Sequence, residues 1–149
     1  MKRLIAIILA LQFTTINAFA QKEHFGMILG SRYDTGAVSW EFFERYGTSA
    51  DSSGTGNFYQ IRVYSNCSKE GGTFGQCTID FYKGRFWKIV YEDIINDSND
   101  FANRLERKYM KYSISETNFE YQYGNIYFEF DGNRLRYVDE SVSRSMLSY

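Results

Sequence analysis

The chain has few of the side chains that usually carry out catalysis or hold metal ions. Its 149 residues include one histidine, His24, and two cysteines, Cys67 and Cys77. Nucleophilic catalysis needs a base beside an activated hydroxyl or thiol, and metal centres need several nitrogen, sulfur or carboxylate ligands together. We therefore expect no His-based catalytic site, no metal site and no cofactor.

Carboxylates offer a remaining catalytic route. Hydrolysis of a glycosidic bond needs two carboxyl groups, an acid and a base or nucleophile, that flank the bond. Asp80 lies within a predicted strand, and Glu92 lies at the end of the next one. Because the chain has 18 acidic residues, such groups more often mark solvated strand ends. A small carboxylate-dependent hydrolase is therefore an alternative and not the leading hypothesis.

The two cysteines flank a glycine-rich turn, residues 68–75. In exported proteins two cysteines are more often paired than free. A bridge that closes so short a loop would stabilise the fold by roughly 2–3 kcal/mol. We predict a disulfide between Cys67 and Cys77.

The N-terminal residues have the pattern of a secretory signal peptide. Two basic residues precede an apolar run over 4–13, and a small-x-small cleavage site occupies 18–20. This run has about half of the roughly 20 apolar residues that a membrane-spanning helix needs. We predict a leader over 1–20 and an exported protein over 21–149, periplasmic or extracellular, that does not span the membrane after cleavage.

Aromatic residues are abundant, with 13 Phe, 13 Tyr and 2 Trp in a chain without proline. So many large rings can bury enough apolar surface to offset the entropy lost on folding, which excludes a disordered chain. The formal net charge is −1, and loss of the two basic residues in the leader makes it more negative. Nucleic acid is not expected as a partner, because binding it needs a basic surface that displaces counterions from phosphates.

The periodicity of the remaining chain predicts one α+β domain, an antiparallel sheet with helices on one face. Helices are predicted over 36–46 and 98–112, with a last short helix from Ser141, and the polar stretch 48–57 is predicted as a loop. Strands are predicted over 58–66, 76–82, 85–91, 118–123, 126–130 and 135–139. This order places a helix before three strands twice, so the domain could contain two helix-plus-three-strand units.

Turn chemistry predicts the register of the last three strands. A two-residue turn at Gly124-Asn125 puts one set of residues on the face that we assign to the core and leaves Tyr127 on the other face. The core set is Phe119, Tyr121, Tyr123, Ile126, Phe128 and Phe130. The next turn pairs Phe130 with Leu135 and Glu129 with Arg136.

In the first three predicted strands, apolar and polar residues alternate less regularly. A turn at Lys83-Gly84 pairs Phe81 with Phe86 and Cys77 with Val90 on the core side. The other side, which we call the mixed face, then combines aromatic and charged residues with one isoleucine: Arg62, Tyr64, Asp80, Tyr82, Arg85, Trp87, Ile89 and Tyr91. This composition is too apolar for an ordinary solvent face, so either another segment of the chain or a ligand should cover it.

Several segments carry a family resemblance. They are residues 25–30 before the first helix, the hairpin 81–89, the helical segment 104–109, and the strand segments 124–126 and 135–139. With the signal peptide, they resemble small exported bacterial α+β proteins of unknown function. The helix-plus-sheet duplication also resembles the β-lactamase-inhibitor-protein fold, whose aromatic sheet face grips another protein. The resemblance implies a binding module and identifies no functional residue.

We therefore expect an exported, non-enzymatic module that binds a protein or an envelope glycan through the mixed face. The aromatic rings would stack on or anchor the ligand, with charged groups as polar partners. The expected ligand-binding residues are Arg62, Tyr64, Asp80, Tyr82, Arg85, Trp87 and Tyr91. Besides the hydrolase, a structural subunit that hides this face in an envelope oligomer is a further alternative.

Overall fold

The computed structural model describes residues 22–148. Within this range the backbone forms an antiparallel sheet with three helices packed on it, which confirms the predicted α+β class. None of the helices in this range is both long and apolar enough to cross a membrane. The predicted leader, residues 1–20, lies outside the described residues.

The helices begin and end at residues that can cap them. They are α1 (Thr35–Tyr46), α2 (Ser98–Tyr109) and α3 (Glu140–Met146). The side chain of Asp34 accepts hydrogen bonds from two backbone amides in the first turn of α1. The side chain of Asp97 accepts one from the backbone amide of Asp100 in α2. Gly47 ends α1 with a φ of 57°, a conformation that glycine adopts without strain. The three predicted helices are thus confirmed.

The main sheet has eight strands among the described residues, in the order β3-β4-β6-β7-β10-β9-β8, with β5 paired to β6. A separate hairpin, β1 and β2, precedes α1. The strands are β1 (Glu23–His24), β2 (Met27–Ile28), β3 (Ala50–Thr55), β4 (Phe58–Val63), β5 (Cys67–Lys69), β6 (Gly72–Tyr82), β7 (Arg85–Ile94), β8 (Phe119–Tyr123), β9 (Ile126–Phe130) and β10 (Leu135–Asp139).

The polar stretch 48–57 is predicted as a loop, but it contains the edge strand β3, so this prediction is wrong. An edge strand pairs on one side only, so it can form without apolar side chains at alternate positions. The unit that begins with α1 therefore has five strands, β3 to β7, instead of three. The unit that begins with α2 has the three predicted strands, and β7 and β10 join the two halves of the sheet.

The predicted register of the last three strands is confirmed. Leu135 lies opposite Phe130, and Arg136 lies opposite Glu129, which it contacts in an ion pair of 2.8 Å. Phe128 is fully buried between the rings of Tyr121 and Tyr137. The turn chemistry of this segment was therefore sufficient to separate core from surface.

The predicted register between β6 and β7 is wrong beyond the two pairs next to the turn. Phe81 lies opposite Phe86 as expected, but Asp80 lies opposite Lys88, so Trp87 is an extra residue in β7. An extra residue of this kind is a β-bulge, and it reverses the facing of every later side chain relative to a regular strand. Ile89 and Tyr91 consequently lie in the core and not on the mixed face.

The face of the sheet beneath α1 and α2 forms the core. α1 contributes Phe42, and Phe101 of α2 packs edge-on against Phe130 at 4.8 Å between ring centroids. His24 of β1 is buried in this core, with its ring 4.6 Å from that of Tyr137. We call the opposite face of the sheet the open face. Its central strands present the side chains of Gln60, Arg62, Thr78, Asp80, Lys88, Val90, Arg136 and Glu129.

The predicted disulfide is not present. Cys67 and Cys77 are both buried as free thiols, and the Cys67 thiol donates a hydrogen bond to the carbonyl oxygen of Ser65 at 3.1 Å. The segment is closed by the β5–β6 strand pair instead, with a turn at Glu70-Gly71. A hydrogen bond between the two thiols, together with burial, raises the pKa of the Cys77 thiol, which therefore stays protonated at neutral pH.

The position of Tyr91 distinguishes the bulged register from the regular one. We expect Tyr91→Ala to lower the free energy of unfolding by about 3–5 kcal/mol, as removal of a large buried ring does. Tyr64→Ala, at a site with 47% exposure, should change it by about 0.5 kcal/mol or less. Urea unfolding followed by circular dichroism measures both. Equal, small effects of the two substitutions would place Tyr91 outside the core.

Candidate functional site

A cleft of about 630 Å³ lies on the open face, over the central strands of the sheet. Side chains two positions apart on a strand point to the same face, so the lining residues alternate along each strand. From β4, the residue that follows it, and β6 they are Gln60, Arg62, Tyr64, Gln76, Thr78 and Asp80. From β7, β9, β10 and the turn between the last two they are Lys88, Val90, Glu92, Glu129, Asp131, Arg134 and Arg136.

One row of neighbouring residues across the strands explains the shape of the cleft. Thr78 and Val90 lie side by side at its centre, with Arg62 next to Thr78 and Arg136 next to Val90. The two central side chains are short and form the floor. The two arginine side chains are long and stand on either side, so the cleft follows directly from the register of four strands.

The charged groups of the cleft are balanced in sign, with four basic and four acidic side chains among the lining residues. Most of them neutralise one another. The ion pairs are Lys88–Asp80 at 3.4 Å, Arg134–Asp131 at 3.0 Å and Arg136–Glu129 at 2.8 Å. A hydrogen bond of 2.7 Å from the Gln60 amide also holds Asp80 in place. These contacts orient the walls before any ligand is bound.

Arg62 and Glu92 are the charged lining residues that form no ion pair within 4.0 Å among residues 22–148. The Nε of Arg62 donates to the amide oxygen of Gln60 at 2.7 Å, and a hydrogen bond with Tyr64, with smaller contributions from the charges of Asp51 and Asp80, raises the pKa of Arg62. Glu92 accepts a hydrogen bond from the Gln76 amide at 2.9 Å. One cation and one anion in the cleft therefore remain available to a ligand.

The residues predicted for the mixed face are divided among three places. Arg62, Tyr64 and Asp80 line the cleft. The other residues of the mixed face that stay out of the core lie beside the β6–β7 turn: Tyr82 is buried against Phe58, Arg85 donates to the Gly30 carbonyl at 3.0 Å, and Trp87 is half-buried at the bulge. Tyr91 is in the core, so its expected place on the ligand-binding face is wrong.

The sequence prediction missed much of the cleft. Thr78 and Val90 could not be predicted as cleft residues from their chemistry. They form the floor only because their side chains are short and those of their neighbours are long. Arg136 and Glu129 were correctly paired on the solvent side of the second half, but nothing linked that half to the first. The β7–β10 pairing brings the two halves together, and the cleft cannot be predicted without it.

A second group of polar residues lies beneath the β1–β2 hairpin, on the core side. The Nδ1 atom of His24 and the hydroxyl of Tyr91 are hydrogen-bonded at 2.7 Å. The Nζ of Lys69 donates to the carbonyl oxygen of Glu23 at 2.9 Å and lies 5.4 Å from the ring centre of Tyr137. Burial lowers the pKa of Lys69 to about 8. These contacts hold the hairpin against the sheet, and we assign them a structural role.

Comparisons with known proteins identify no relative. No protein-family model, curated protein or solved structure was found to match the chain. The resemblance to small exported bacterial proteins and to the β-lactamase-inhibitor-protein fold therefore stays a prediction. Within residues 22–148, no group of three or more His, Cys, Asp or Glu side chains is placed to hold a metal ion.

Lys69 should make stability increase with pH from about 8 towards 10. Its pKa is about 8 in the folded protein, against an ordinary lysine value of about 10.4 in the unfolded chain. Between these values the unfolded chain binds the proton that the folded protein has released, so the free energy of unfolding rises with pH. Below about pH 8 both states are protonated, and the penalty of the buried charge is fully present. The charged neighbours are Glu70 and Glu23, which raise the pKa, and Lys108, which lowers it.

The variant Lys69→Met removes this dependence. Urea unfolding of both proteins at about pH 7 and about pH 9.5 should show the variant's stability relative to wild type decreasing as the pH rises. A stability difference that is the same at both values would contradict the lowered pKa.

Proposed function

We propose that this chain is an exported, non-enzymatic binding module that holds an envelope glycan in the cleft of the open face. Export rests on the predicted leader over 1–20. The observation that carries the binding assignment is the cleft itself, a concave surface that α1 and α2 leave uncovered and that polar side chains line almost completely.

The polarity of the lining favours a glycan over a protein ligand. Protein interfaces depend on a few aromatic or arginine anchors packed into water-free pockets. Of the predicted aromatic anchors, only Tyr64 lines the cleft, while Tyr82, Trp87 and Tyr91 do not. Amide and carboxylate groups such as those of Gln60, Gln76 and Asp80 can hydrogen-bond the hydroxyl groups of a sugar in donor and acceptor roles. Tyr64 at the edge of the cleft offers one ring face for stacking.

The spacing of the carboxylates does not support the alternative of a hydrolase. Glu92 lies opposite Gln76, four residues along β6 from Asp80. With about 3.4 Å per residue and about 4.8 Å between strands, the Cα atoms of Asp80 and Glu92 are about 14 Å apart. Glycosidases hold their two carboxyl groups about 5–9.5 Å apart on opposite sides of the bond, so the Asp80 and Glu92 side chains would both have to turn towards each other to reach that separation. Asp80 is also engaged by Lys88 at 3.4 Å.

Filling the floor of the cleft tests the proposal. Thr78→Tyr and Val90→Tyr introduce bulk where the ligand would lie and leave all three ion pairs of the cleft in place. Co-sedimentation with insoluble envelope glycan, prepared free of protein, measures binding. We expect wild type to sediment with the glycan and both variants to bind at least about tenfold more weakly, a loss of about 1.4 kcal/mol.

The matched control is Ser53→Tyr, which adds the same side chain to the open face on the edge strand β3, outside the cleft. It should bind as wild type does. Undiminished binding by the Thr78 and Val90 variants would remove the cleft from consideration. Binding by wild type to envelope protein but not to the protein-free glycan would contradict the glycan assignment.

A further inference from the structure

The two charges that the cleft leaves unpaired are opposite in sign. Lys88, Arg134 and Arg136 each have an acidic partner within the cleft. Arg62 and Glu92 have neutral hydrogen-bond partners among the described residues, and the opposite charges near them, Asp51 and Asp80 for Arg62 and Arg134 for Glu92, lie beyond ion-pair distance. A ligand that brought only one sign of charge would satisfy one of these groups and leave the other unmatched. A ligand with both signs satisfies the two together.

The positions of Arg62 and Glu92 set the spacing that such a ligand must have. Arg62 lies in the row of Thr78 and Val90, and Glu92 is two residues beyond Val90 on β7. Two strand spacings and two residues place the Cα atoms of Arg62 and Glu92 about 12 Å apart, diagonally across the floor. Both side chains extend from the same face of the sheet, so the gap between the charged ends can be spanned by about one sugar ring.

We infer that the cleft recognises a zwitterionic sugar unit, with an anionic group on Arg62 and a protonated amine on Glu92. This inference rests on the proposed function and specifies its ligand. A planar guanidinium binds carboxylate or phosphate oxygens through paired N–H groups, which suits the anion site. A carboxylate that a neighbouring amide already orients suits the ammonium site. The Thr78 hydroxyl and the Gln76 amide lie between these ends and would hydrogen-bond the sugar hydroxyls.

Four monosaccharides that differ only in charge test the inference: glucosamine 6-phosphate, N-acetylglucosamine 6-phosphate, glucosamine and N-acetylglucosamine. Chemical-shift titration of the ¹⁵N-labelled protein, at a pH where the amine is protonated, measures their affinities. We expect glucosamine 6-phosphate to bind at least about fivefold more tightly than either singly charged sugar, with shifts centred on Thr78 and Val90. Equal affinity for N-acetylglucosamine 6-phosphate would overturn the role of Glu92, and equal affinity for glucosamine would overturn that of Arg62.

Two charge-removing variants assign each end of the sugar. Arg62→Met should abolish the advantage that the phosphate confers and keep the one that the amine confers, and Glu92→Gln should do the reverse. Arg107→Met and Glu116→Gln remove the same charges from exposed sites outside the cleft and should behave as wild type does. Affinities that respond to both signs of charge in every variant would overturn the assignment to these two residues.

The failure of this inference differs from the failure of the proposed function. If Thr78→Tyr abolishes co-sedimentation with the glycan while Arg62→Met and Glu92→Gln leave it intact, the cleft binds the glycan without recognising a zwitterion. If wild type does not sediment with the glycan, the proposed function itself fails.

Discussion

One extra residue in β7 decides which side chains of the central strands are buried and which form the cleft. Trp87 has no partner in β6, so the strand resumes its pairing with Lys88 opposite Asp80. Every later residue of β7 is thereby turned to the other face. Tyr91 enters the core beside His24, and Val90 and Glu92 reach the open face. In a regular strand, aromatic and aliphatic groups would occupy the position of the cleft.

The pairing of β7 with β10 extends this effect to the second half of the chain. It aligns Val90 with Arg136, whose ion pair with Glu129 forms one wall of the cleft. The other wall comes from Arg62 and β4, on the far side of the floor. Neither half could form the cleft alone. The same pairing buries Tyr137 next to Tyr91 on the opposite face, so the core and the cleft depend on one register.

The elements whose structure depends on nearby residues could be predicted from the sequence. Turns at Lys83-Gly84 and Gly124-Asn125 need positive φ, and the alternation around the second of them settled the last three strands. The bulge at Trp87 could not be predicted, because it depends on how β7 packs between two other strands. The edge strand β3 has almost no apolar residue, so alternation could not reveal it. Three cleft residues, Arg62, Tyr64 and Asp80, were predicted correctly, because the extra residue is in β7 and leaves the alternation along β4 and β6 unchanged.

The register of β6 against β7 is the central claim of this account, and inter-strand nuclear Overhauser contacts measure it directly. The bulged pairing predicts contacts that place Thr78 opposite Val90 and Cys77 opposite Tyr91. Contacts that instead place Cys77 opposite Val90 would mean a regular hairpin. In that case Tyr91 would lie on the open face, and the cleft would not exist.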